Sequence, residues 1–182
     1  MRLENSFQVP APPETTWALL NDVPRIVPCM PGAELDEVVD ENTWRATVHV
    51  KLGPIALAFA TQLTRDDVDE ASRVVRLSAK AREKKGRGGA LATIETAMTD
   101  LDDGTHVAIT TDLTLQGAVA QYGRGVVPDV AAQLTRQFAD CLARQLATAG
   151  PPPAPEPVRP VGGLRLGLGA LWRSFLGLFR RG

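Results

Sequence analysis

A chain of 182 residues, 44% of them hydrophobic, is long enough for one domain of common size with a continuous core. The formal net charge is only −1, but residues 151–182 hold five arginines against the single acid Glu156, which leaves the remainder acid-rich. That asymmetry excludes a basic nucleic-acid-binding domain and points to a basic tail that seeks an anionic surface. Cys29 and Cys141 are too few and too isolated for a disulfide framework, and neither belongs to a C-x-x-C pair, which fits a reducing compartment. Residues 1–10 contain no long apolar run, so no secretory signal is expected and the protein is placed in the cytoplasm.

Along residues 2–9, Leu3, Asn5, Phe7 and Val9 alternate with Arg2, Glu4, Ser6 and Gln8, the period of a half-buried strand. Pro12, Pro13 and Glu14 then open a short helix that is expected to bury Trp17 and Leu20. Prolines 24, 28 and 31 make 23–32 a bent, partly helical connection. From about residue 33 to 115 strand follows strand. Trp44, Ala46, Val48, Val50 and Leu52 alternate with Arg45, Thr47, His49 and Lys51 up to a Gly53-Pro54 turn. Further strands are predicted near 55–65, 73–81, 89–101 and 105–115, with Asp102-Asp103-Gly104 as a hairpin signal. A helical period takes over at about 118–148, with Val127, Val130, Ala131, Leu134, Phe138, Cys141, Leu142 and Leu146 on one stripe and Pro128 as a start or kink. A strand, short helices, about six antiparallel strands and a long last helix make an α+β layer architecture.

Six prolines in residues 150–162 prevent a core there; as polyproline II at about 3.1 Å per residue the segment reaches roughly 35–40 Å. It separates a domain over 1–149 from a tail over 163–182. In helical projection Leu164, Leu168, Leu171, Trp172, Phe175, Leu178 and Phe179 fall within about 120° of arc, with Arg165, Arg173, Arg180 and Arg181 outside it. Such a segment suits docking at an anionic membrane surface, on the inner face of the cell membrane, better than packing on its own domain. It is too short and too charged to span a bilayer.

Other features carry less chemistry. Lys80, Arg82, Lys84, Lys85 and Arg87 lack the ending of a P-loop and have no interleaved aromatics, so they are read as a solvated hairpin end, with anionic headgroups or an acidic partner as the functional alternative. His49 and His106 have no ligand-like companions, so no metal is expected. No catalytic residue is assigned: Asp100, Asp102 and Asp103 read as turn residues, no G-x-S-x-G or H-E-x-x-H occurs, and Cys29 reads as a buried small hydrophobe. Tyr122, the single tyrosine, is either an aromatic plug or a phenol at a cavity entrance that orients a polar ligand head.

The element order resembles the helix-grip fold of the START-like (SRPBCC) superfamily, a curved antiparallel sheet around a long C-terminal helix with an apolar cavity between them. Phe7-Gln8-Val9-Pro10-Ala11-Pro12, Trp17 to Asp22, Cys29-Met30-Pro31-Gly32-Ala33 and Val50-Lys51-Leu52-Gly53-Pro54-Ile55 resemble the CoxG family of carbon monoxide dehydrogenase subunits. So do Gly104-Thr105, Leu115-Gln116-Gly117 and Gln137-Phe138, over nearly all of residues 1–148. The resemblance implies an accessory of a carbon monoxide dehydrogenase-type molybdenum hydroxylase. Such enzymes pass electrons to membrane quinones, so the expected function is recruitment of the enzyme to the membrane and carriage of a quinone, menaquinone or ubiquinone, in the cavity. Phe59, Leu77, Ile94, Met98, Tyr122, Val126 and Val130 are the expected lining, and Ala56, Ala58 and Ala60 are expected to leave space beside it. A cyclase or hydrolase of the same fold, and a purely structural membrane tether, are the competing functions.

Overall fold

A computed structural model describes residues 1–52, 55–122 and 125–148. Contacts divide the chain after Pro151, and all described residues lie in the first unit. The linker and tail expected over 150–182, the Gly53-Pro54 turn, and every residue assigned above to membrane docking lie outside the described residues.

The elements run β1 (Arg2–Val9), α1 (Pro13–Asn21), α2 (Val23–Ile26), a 3-10 turn (Val27–Cys29), β2 (Ala33–Asp40), β3 (Thr43–Leu52), β4 (Ile55–Asp69), β5 (Val74–Glu83), β6 (Gly88–Leu101), β7 (Gly104–Gly117), a second 3-10 turn (Ala118–Tyr122) and α3 (Val127–Thr148). The seven strands form one antiparallel sheet in the order β1-β7-β6-β5-β4-β3-β2. β2 to β7 follow one another across the sheet in chain order, and β1 pairs with β7, so β1 and β2 are its edges. With α3 laid against β1 and the 3-10 turn, this is the helix-grip arrangement.

The turns follow from local chemistry. The Asp69 carboxylate accepts from Ser72 N at 3.0 Å to hold the β4–β5 turn, and the Asp40 carboxylate accepts from Asn42 N at 2.8 Å between β2 and β3. Gly32 sits at φ 78°, where a Cβ would come within 2.3 Å of the His49 carbonyl oxygen, so only glycine lets β2 leave the helical corner so close to β3. A bulge in β4 at Asp66 keeps Arg65 and Val68 on the same side of the sheet.

The core gathers at one end of the grip: Val9, Ala11, Leu19, Cys29, Phe138, Leu142 and Leu146 pack together, with Phe7 edge-on to Phe138 at 6.1 Å. In α1 the buried residues are Thr16 and Leu19, not Trp17 and Leu20, which are half-buried; the helix is rotated by one residue from its expected facing. α3 begins at Val127, with Pro128 in its first turn, where a missing N–H costs nothing. Residues 118–122, expected to belong to that helix, form the separate 3-10 turn.

The cysteine expectation is also corrected. Cys29 and Cys141 are joined as a disulfide, with Cα atoms 5.3 Å apart across a sequence separation of 112. The packing of the corner against α3 brings them together.

Candidate ligand-binding face

Directly paired residues of antiparallel strands project from the same side of a sheet, so the register divides the side chains between two faces. One face carries Phe7, Val107 and Met98 in one row, Thr111, Ile94, Leu77 and Arg65 in another, and Leu113, Ala92, Ala79, Leu63 and Trp44 in a third. It is the side that meets α3, since Phe7 and Val9 pack there against Phe138.

Four of the seven expected lining residues, Phe59, Leu77, Ile94 and Met98, lie on this inner face, and Leu77 and Ile94 are direct partners. Met98 is buried, the other three are half-buried, and Val130 is half-buried on α3. Val126 is 40% exposed and does not join them. Its carbonyl accepts the first bond of α3, from Val130 N at 3.0 Å, which makes it the flanking residue ahead of the helix. Tyr122 ends the second 3-10 turn, and its side chain lies outside what is described.

Ala56, Ala58 and Ala60 pair with Lys51, His49 and Thr47 and therefore point to the opposite face from Phe59. The error is one of alternation, because neighbours along a strand cannot share a side. The small residues of the inner face are Ala46, Ala79, Ala81, Ala90 and Ala92, which sequence reasoning missed. Ala79 with Ala92 and Ala81 with Ala90 are direct partners and Ala46 lies in the row of the second pair, an alignment of three strands that exists only once the register is known.

α3 closes this face unevenly. Its buried side chains, Phe138, Leu142 and Leu146, belong to its C-terminal half, whereas Val127, Val130, Ala131 and Leu134 are only half-buried. Phe59, Leu63, Leu77, Ile94, Ile109 and Leu113 are half-buried too. The face is apolar without being packed shut.

Its ionisable groups have structural duties. Arg65 donates from Nη2 to the Asn21 carbonyl at 2.7 Å and sets its guanidinium 5.0 Å from the ring of buried Trp44, fixing the α1–α2 corner to β3 and β4. The Glu83 carboxylate accepts from Lys85 N at 2.9 Å and Arg87 N at 3.0 Å and so caps the β5–β6 turn. Burial pushes its pKa up, but those two N–H groups and the nearby Arg87 charge outweigh burial and hold it below the ordinary glutamate value. Asp100, at the end of this face, is exposed and pairs with Arg73. The basic run of residues 80–87 forms the end of this hairpin. Among the described residues no three histidine, cysteine or acidic side chains gather as a metal site, and no helix is long and apolar enough to cross a membrane.

Solved structures share this fold. A conserved protein from Geobacillus kaustophilus superposes with a TM-score of 0.72 at 19% identity, over 81% of this chain and 96% of that one. A protein from Thermus thermophilus gives 0.56 at 17% identity over 82% and 100%, and one from Chromobacterium violaceum gives 0.58 at 11% over 80% and 96%. No curated protein matches the sequence. The family comparison reaches further than the fold: residues 6–147 match CoxG, the carbon monoxide dehydrogenase subunit family, and the chain belongs to that family.

Proposed function

We propose that this member of the family, whose name ties it to carbon monoxide dehydrogenase as an accessory, carries a respiratory quinone on its inner face and brings the hydroxylase to the membrane where that quinone resides. The observation that supports carriage is the half-buried apolar face spanning β3 to β7, floored by alanines and faced by the half-buried first turns of α3. An isoprenoid chain laid there gains about 25 cal/mol for each Å² of apolar surface it removes from water. A polar group at the open end of the grip would fix the quinone head. Carriage rather than catalysis is favoured because Arg65 and Glu83 are already committed to the corner and the hairpin, and a cyclase or hydrolase needs an acid, base or oxyanion donor free to meet its substrate. The amphipathic, arginine-bearing segment 164–179 is the membrane-docking element of this proposal, and the inner face of the cell membrane is its proposed site of action. The experiment is mass spectrometry of lipid extracted from full-length protein purified from its own host, followed by titration of the stripped protein with menaquinone and ubiquinone. Recovery of a quinone near one per chain is expected. Protein that emerges free of isoprenoid lipid and is unmoved by either titration would leave a membrane tether as the better account.

A further inference from the structure

The opposite face of the sheet carries a second and chemically different feature. A groove of about 720 Å³ crosses it, bordered by Arg45 on β3, Gln62 on β4, Lys80 and Arg82 on β5 and Gln116 on β7, with Asp36 on β2 also in its lining and its carboxylate accepting from Thr47 Oγ1 at 2.8 Å. With strands about 4.8 Å apart, β3 to β7 spans roughly 19 Å, the length of an extended segment of five or six residues. Arg45 is tied to Glu37 at 2.6 Å, but Lys80 and Arg82, two residues apart on one strand face, have no ion-pair partner among the described residues. Between them and β7 lies Gly89, where a Cβ would come within 2.6 Å of the Ala81 carbonyl oxygen, so the floor stays low beside the two cations. We infer that this groove is the docking site for an extended acidic segment of the partner hydroxylase, with Lys80 and Arg82 receiving its carboxylates.

The side-chain chemistry favours a protein segment over lipid headgroups. A phosphate offers only acceptors, so a site built for it would present donors alone. Gln62 and Gln116 each present an acceptor beside two donors, which matches the alternating N–H and C=O of an extended backbone. A bilayer surface would also meet the rims of a trench and leave its floor unfilled. The location suits the division of labour, since the cations project away from the face proposed to hold quinone, and both surfaces can be occupied together. The inference rests on the proposed recruitment of the hydroxylase and names the surface that performs it.

The test uses the full chain and the purified carbon monoxide dehydrogenase-type holoenzyme of the same host, with binding followed by biolayer interferometry at several salt concentrations. The K80E/R82E variant should weaken binding at least tenfold and flatten its salt dependence, while sedimentation with phosphatidylglycerol vesicles and the response to quinone stay unchanged. R136E/R144E, which makes the same change in charge on exposed positions of α3, should leave the affinity intact. Equal weakening by both variants would reduce the effect to net charge and overturn the inference, as would K80E/R82E binding like the unaltered protein. Loss of vesicle binding with hydroxylase affinity retained would assign the groove to headgroups instead. If the unaltered protein fails to bind the holoenzyme, recruitment itself is wrong and the groove loses its proposed occupant with it.

Discussion

Cys29, in the 3-10 turn after α2, is covalently joined to Cys141 on α3, and Gln145 Nε2 donates to the same Cys29 sulfur at 3.3 Å. The bond ties the helical corner to the gripping helix beside Leu142 and Leu146. Closing a loop of this size restricts the unfolded chain by about 4–5 kcal/mol in the loop-entropy account. Reduction, or the C29S/C141S pair, should therefore lower the melting temperature by roughly 10–15 °C. Thermal unfolding with and without reductant, together with a thiol count on the denatured chain, checks this. Two free thiols and an unchanged melting temperature would show that the bond does not form in the purified protein.

Phe138 is 7% exposed and meets Phe7 at 6.1 Å and 85°. Phe138→Ala should cost roughly 3–5 kcal/mol in urea unfolding, whereas Val130→Ala, at a half-buried position of the same stripe, should cost clearly less. Similar losses at both would mean that α3 is sealed along its whole length.

The sequence made these helical positions legible because a 3.6-residue stripe survives in the order of residues whatever the helix packs on. The strands were legible for the same reason, and Phe59, Leu77, Ile94 and Met98 fell on a common face because alternation holds within each strand. What failed was what only pairing decides. Ala56, Ala58 and Ala60 look like space in one dimension but face away from Phe59, and that Gln62 pairs with Lys80 while Gln116 lies across Gly89 from Arg82 is set by register alone. Cys29 and Cys141 carry no local pairing signal, since it is the fold that brings them across the chain.

Glu83 should leave its mark on acid stability. Its folded pKa lies below the ordinary 4.5, so its contribution is fully present above the unfolded-state value and is lost as pH falls through the lower folded one. Glu83→Gln should be less stable than the original at pH 7, with the gap closing as pH drops from about 5 to below 4. Urea midpoints across that range measure the gap. A gap that is constant with pH would mean that the cap acts through shape and hydrogen bonding rather than charge.

Deleting residues 151–182 removes four net positive charges and the whole apolar arc from 164 to 179. The truncated protein should fail to sediment with phosphatidylglycerol vesicles while its far-ultraviolet circular dichroism and melting temperature stay unchanged. Retained sedimentation would move membrane binding onto the domain.

Ala79 and Ala92 are direct partners at the middle of the inner face, one step along from the Leu77–Ile94 pair. They separate the carrier from a plain tether more sharply than any deletion, because the two proposals assign opposite consequences to added bulk. If the space above them is filled by packed side chains, Ala79→Phe or Ala92→Phe forces its neighbours off their rotamers and costs about 1–3 kcal/mol. If the space is kept for a guest, a phenyl ring settles there with little change in stability and occupies the room that the isoprenoid chain needs. The second result is expected: urea unfolding of each variant close to that of the original, with quinone titration no longer raising the melting temperature and host lipid extracts losing their quinone. Large destabilisation with quinone binding preserved would place the ligand elsewhere and identify this part of the grip as ordinary core.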